Sequence, residues 1–258
     1  MEVGNTPIVP VISMLDKEKT VYLKLENKNP SGTIKDRLAK YIILNNPDAS
    51  GFVDTSIGNF AVSMSWFASL SDKKAFFLLY ENINKEVVNK IRNFGGEIIY
   101  VNTEYFDRLS NQARIYAEQY GYLYCGQFKS HKFDEFYKND IALEIKNQLP
   151  NVNKIVMIRG TGGIINGLMS SFADMNVQFY EPNITSNKFE VNTINKIEIN
   201  ANMINIDVDL IDKVQKYLIQ RYGIKSGYAG AINTATAMQL AQSFNNKEVI
   251  LTFVTDSI

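Results

Sequence analysis

The chain has 258 residues, 45% hydrophobic and 12% aromatic, enough for one large domain or two smaller ones sharing a core. Lys plus Arg and Asp plus Glu both total 27, so no overall field draws nucleic acid or an anionic membrane to it. Cys125 and His131 are alone of their kinds, which excludes an intramolecular disulfide and argues against a metal cluster or a serine–histidine triad. No apolar run reaches about 18 residues and no basic leader precedes one, so a cytoplasmic protein off the membrane is expected. Catalysis from this inventory has to use a lysine, carboxylates, hydroxyls or a borrowed cofactor.

The first clear strand is VYLKLE (21–26), followed by ENKNPSGTIKDR (26–37). Asn29, Pro30, Ser31 and Gly32 form loops, and LAKYIILNN beyond them has helical spacing. Lys35 is therefore expected in the first turn of a helix, just past a tight loop, with Asp36 and Arg37 in structural roles. Further buried strands are predicted at FVDTS (52–56), AFFLLY (75–80), EIIYV (97–101), YLYCG (122–126), KIVMI (154–158), VQFYE (177–181) and EVILTFV (248–254). Helical segments alternate with them, among them FYKNDIALEIKNQL (136–149), and Gly95 and Gly121 mark helix ends. Residues 183–205, rich in Asn, read as a loop with one strand, KIEIN. This order predicts an α/β protein with mostly parallel sheets.

Three loops carry donors. KIVMI-RGTGG-IINGLMSSF is a strand, a turn with Gly160, Gly162 and Gly163, then a helix, the arrangement in which backbone N–H groups converge on an anion. A dinucleotide site would use Glu181, about 20 residues on, for a ribose. Ile165 stands at the third glycine position of that fingerprint, however, so a single phosphate ester fits better. TSIGNFAVS (55–63) places Ser56, Gly58 and Asn59 at a strand end, and YGIKSGYAGA (222–231) places Ser226 before a helix. Capping explains either loop taken singly. In a parallel sheet such loops gather at the carboxyl ends of the strands, where ligands bind.

TIKDR after NPSG, SIGN after a strand, QF at 127–128, GTGG, and SG at 226–227 resemble, in order, the motifs of the cysteine synthase family, with GNTPIV (4–9) and VTDS (254–257) similar to its two ends. These are fold type II pyridoxal-phosphate enzymes related to threonine dehydratase and threonine synthase. The resemblance implies a two-lobed, tryptophan-synthase-β-like, three-layer αβα fold. A small movable lobe would span 36–128, and a larger one 1–35 plus 129–258. It implies that Lys35 holds pyridoxal 5′-phosphate as a Schiff base and acts as the catalytic base. Asn59 would bond the 3′-oxygen of the ring, Gly160, Thr161, Gly162 and Gly163 the phosphate, and Ser226 would face the pyridine nitrogen. Ser56, Ile57, Gly58, Asn59 and Gln127 would bind the substrate carboxylate. No metal is implied; a small amino-acid substrate and a homodimer are.

A neutral serine at the ring nitrogen would leave the ring less electron-poor, favouring loss of a β-substituent over transamination. The expected reaction is β-replacement on an activated serine with sulfide or an amine. Elimination to pyruvate and ammonia, or a degenerate member kept for binding, are the alternatives. The pattern departs at Ile57, Phe60 and Ile164, where family members carry hydroxyls. Each lost hydroxyl would weaken anion binding by about 1 kcal/mol or more.

Overall fold

In the computed structural model the described residues are 2–56, 58–81, 83, 85–103, 105–128, 131–184, 201–245 and 247–257. In chain order the elements begin β1 (Ile8–Ile12), β2 (Thr20–Lys24), α1 (Asp36–Leu44), β3 (Gly51–Asp54), α2 (Asn59–Leu70), β4 (Lys74–Leu79) and α3 (Lys85–Asn93). They continue β5 (Glu97–Tyr100), α4 (Phe106–Tyr120), β6 (Leu123–Tyr124), α5 (Asp134–Asn139), α6 (Ile141–Gln148), β7 (Lys154–Val156) and α7 (Gly163–Ser171). The last are β8 (Gln178–Ile184), β9 (Asn202–Ile206), α8 (Val208–Tyr222), α9 (Tyr228–Ala241) and β10 (Ile250–Phe253). The chain divides into two compact units, residues 1–3 with 29–127, and residues 4–28 with 128–258.

The first unit is built on a parallel sheet in the order β5-β4-β3-β6. Strands buried on both faces read as continuous apolar runs, as GFVD and AFFLL do here. Val53, Phe76 and Leu78 pack on Leu109, Ala113 and Ala117 of α4. Helix α2 packs against β3 and β4, with α1 and α3 beside it. Helix α4 stops at Gly121, whose φ of 68° is left-handed, as the glycine predicted.

The second unit is a sheet in the order β1-β2-β10-β7-β8-β9, parallel except for the β1–β2 pair. Helix α9, rich in Ala and Thr, packs against β2, β7, β8, β9 and β10, and small side chains let it lie close. A Cβ on Gly230 would stand 2.5 Å from the Ser226 hydroxyl and 3.1 Å from the Val254 Cα, so a side chain there would force its neighbours to shift.

Two expectations change. The segment 136–149 is broken at Asp140, whose backbone (φ −107°, ψ −91°) leaves the helical region, so α5 and α6 are separate. Residues 183–205 are not a plain loop: β8 runs to Ile184, and β9 pairs parallel with it from Tyr180–Asn202 to Ile184–Ile206. NMINI hides its period because β9 is an edge strand, exposed at Asn202, Met203 and Asn205 and buried only at Ile206. KIEIN (196–200) lies outside the described residues. Among the described residues no helix is long and apolar enough to cross a membrane.

Candidate functional site

In the first unit the loop before α1 is held by one carboxylate. Asp36 accepts hydrogen bonds from the Ser31 N–H at 2.6 Å and from the Ser31 hydroxyl, which also meets the Ser63 hydroxyl of α2 at 3.2 Å. Gly32, at φ 87°, turns the chain, and its N–H bonds Asn29 O at 2.9 Å. Lys35 is the cap residue of α1, with its N–H on the Thr33 hydroxyl at 3.1 Å. Its backbone is thus fixed from both sides. Its side chain is partly buried, and desolvation pulls its pKa down to about 8, with Asp54 opposing the fall. A lysine at about 8 has a substantial neutral, nucleophilic fraction near physiological pH.

Asp54 ends β3 with its side chain fully buried. Its Oδ1 accepts from Thr55 N at 2.7 Å and its Oδ2 from Gln127 N at 3.1 Å. The carboxylate therefore ties the loop after β3 to the turn after β6. Ser56 is buried, and its hydroxyl accepts from Ala61 N at 3.3 Å, which caps α2 while leaving its own proton to donate. Gly58 and Asn59 open α2, Gln127 is buried, and the Thr55 hydroxyl is buried with no partner among the described residues. Ile57 lies outside the described residues.

In the second unit the glycine loop follows β7. Gly160 and Gly162 have φ of 55° and 86°, and Gly162 N closes a turn onto Arg159 O at 3.0 Å. Helix α7 starts at Gly163 with no side-chain cap, so the first-turn N–H groups beside Thr161 and Gly162 are oriented for an anion. Asn166, in the same turn, carries a buried amide nitrogen with no acceptor among the described residues. Two contacts brace the loop entrance: Asn233 Oδ1 accepts from Ile158 N at 2.7 Å, and Arg159 grips Glu181 at 3.0–3.2 Å. Glu181 is thereby committed to Arg159, a second reason against a ribose-binding role.

Ser226 is buried, and its hydroxyl donates to Gly227 O at 3.0 Å, so donating to another acceptor requires a rotation about χ1. Gly227 N bonds Asp256 O at 2.9 Å, placing Ser226 beside the exit of β10. Since β10 and β7 are parallel neighbours, Ser226 and Gly160–Gly163 occupy adjacent carboxyl ends. Phe60 and Ile164 are both buried, so these two departures serve packing and present no polar group.

Asp54 and the Arg159–Glu181 pair were not singled out from the sequence as acting on the site. The available signals were an acid ending the apolar run GFVD and an arginine directly before GTGG. Chemically, a lysine able to lose its proton near neutrality fits an aldehyde. The uncapped glycine turn fits a phosphate monoester.

The profile of the family described as Pyridoxal-phosphate dependent enzyme matches residues 1–187. A cysteine synthase of Staphylococcus aureus is 22% identical over 281 residues, covering 97% of this chain and 90% of the relative. The crystal structure of an O-ureido-L-serine synthase superimposes with a TM-score of 0.86 at 21% identity, covering 99% of this chain and 90% of that one. An O-acetylserine dependent cystathionine beta-synthase from Helicobacter pylori gives 0.83 at 19% identity, with 99% and 93% covered. The α/β fold is thus that of fold type II. The chain belongs to the pyridoxal-phosphate dependent enzyme family, as a cysteine synthase-like member whose cofactor is pyridoxal 5′-phosphate.

Proposed function

We propose that the chain catalyses β-replacement on a small β-substituted amino acid, an activated serine, with sulfide or an amine as nucleophile. The observation that carries this reading is Lys35, whose amine has its pKa lowered to about 8 by desolvation. When bound, pyridoxal phosphate supplies an electron sink that stabilises negative charge at the substrate Cα. Lys35 Nζ is the attachment point and, once freed, takes the proton from Cα. Gly160, Thr161, Gly162 and Gly163 hold the phosphate through backbone N–H groups and the start of α7. Asn59 orients the ring. Ser56, Ile57, Gly58, Asn59 and Gln127 receive the substrate carboxylate, the loop at the start of α2 supplying donors.

Ser226 meets the ring nitrogen as a neutral group, which favours expulsion of the β-substituent. The lobe that carries the substrate loop, residues 36–128, is the movable one. Two copies form a homodimer. The relatives named above support the substrate class, since their names specify cysteine, O-ureido-L-serine and O-acetylserine chemistry.

The test combines a spectrum with a product assay. Purified protein should absorb near about 410 nm, and Lys35→Ala should lose that band. O-acetylserine with sulfide should yield cysteine with little pyruvate. Pyruvate as the main product would replace this reading with elimination, and a protein that takes up no cofactor would leave only a binding role.

A further inference from the structure

Asp54 is a charged group that the proposed chemistry does not use, yet it touches both loops of the first unit that the chemistry needs. It sits at the carboxyl end of β3, between β4 and β6 in the sheet, where ligand-binding groups gather. Both of its oxygens are engaged by backbone N–H groups, Oδ1 by Thr55 at 2.7 Å and Oδ2 by Gln127 at 3.1 Å. An ionised carboxylate accepts on both oxygens with no proton of its own to place. An asparagine in its place must turn its NH2 toward one of the two donors. A buried N–H left facing a donor forfeits its hydrogen bond.

We propose that Asp54 is a positioning residue: its buried carboxylate locks the Ser56 loop to the Gln127 turn and presents a fixed negative charge to the Lys35 amine. The proposal rests on the reading of Lys35 as the attachment lysine and of Gln127 as a substrate-carboxylate ligand. Two consequences follow from one group. The first is mechanical, because Gln127 is the last residue of its unit and its backbone is fixed at the Asp54 carboxylate. The second is electrostatic. Burial alone would drive the Lys35 amine further toward neutrality, and Asp54 checks that fall so that Lys35 can both hold and release a proton near neutral pH. Besides Lys35, Tyr124 at the end of β6 feels the Asp54 charge. Tyr124 is raised first by burial and also by Asp54, so its phenol is not an anion that could substitute for the carboxylate near pH 7.

The experiment uses the full chain freed of cofactor, compared with its Asp54→Asn and Asp54→Ser variants. The rate of acetylation at Lys35, read by peptide mass as a function of pH, reports its neutral fraction. In the parent the rate should rise with a midpoint near 8. In the variants the midpoint should fall by about one unit, making labelling at pH 7 about fivefold faster. Amide hydrogen exchange at Thr55 or Gln127 should quicken at the same time. In the holoenzyme, KM for the amino acid should rise more than kcat falls. An unmoved midpoint overturns the electrostatic half, and unchanged exchange at both amides overturns the mechanical half. Failure of both variants to fold overturns the whole by assigning Asp54 to stability alone. The labelling does not depend on the cofactor, so it stands or falls separately from the attachment of cofactor at Lys35.

Discussion

A desolvated lysine destabilises a fold while it is charged, and Lys35 carries that penalty. Its pKa is lowered from 10.5 in the open chain to about 8 in the fold, so the folded state binds its proton more weakly than the unfolded state does. The unfolded chain therefore holds more protons between those two values, and stability rises with pH across that window. Below about 8 the penalty is fully present, on the order of 3 kcal/mol. Lys35→Met keeps the length and removes the charge. The cofactor-free variant should unfold at higher urea than the parent at pH 7, with the advantage shrinking as pH approaches 10.5. An equal denaturation midpoint at pH 7 would contradict the burial argument. That Lys35 begins a helix was legible in NPSG followed by an apolar period. The lowering of its pKa was not, because it depends on long-range enclosure and on Asp54, nineteen positions away by sequence number.

At the scale of elements, the glycine loop and α7 behave as one piece. Gly162 takes φ 86° directly before the helix, a conformation that strains any side chain. Gly162→Ala should lower stability by about 1–2 kcal/mol and weaken retention of the cofactor phosphate. Equilibrium dialysis against pyridoxal phosphate together with a urea titration would check both effects, and unchanged retention would remove the loop from the cofactor site. The strand–glycine–helix pattern of this loop was readable because its residues are contiguous. The Arg159–Glu181 brace was not, since it joins the loop entrance to a neighbouring strand. The two edge strands of the second unit were the hardest elements to read. β1 contains Pro10 and pairs on one side only, and β9 is Asn-rich, so neither presents the continuous apolar run that marked β3, β4 and β10. The break at Asp140 was hidden for a related reason: helical spacing continues through it, and only packing separates α5 from α6.

At the scale of the molecule, the second unit is assembled from two stretches, residues 4–28 and 128–258. A buried ion pair joins them. Lys24 is fully buried on β2 and donates to Thr6 O at 2.6 Å, to Gln148 Oε1 at 2.7 Å and to the Glu144 carboxylate. Glu144 also accepts from Asn5 N at 2.8 Å, so α6 clasps the N-terminal GNTP segment. Removing one partner of such a pair leaves the other uncompensated, and Lys24→Met should cost about 3 kcal/mol or more. A urea transition displaced to lower concentration would bear this out, whereas an unshifted one would make the clasp dispensable. The α/β class and the order of the motifs were legible along the chain, but the stitching of residues 4–28 to the second half requires contacts that no local pattern carries. The central claim, that Lys35 is where the cofactor attaches, has a direct test. Reducing the holoprotein with borohydride and digesting it should leave a phosphopyridoxyl group on the peptide containing Lys35. The same group on any other lysine, or on none, would contradict the account.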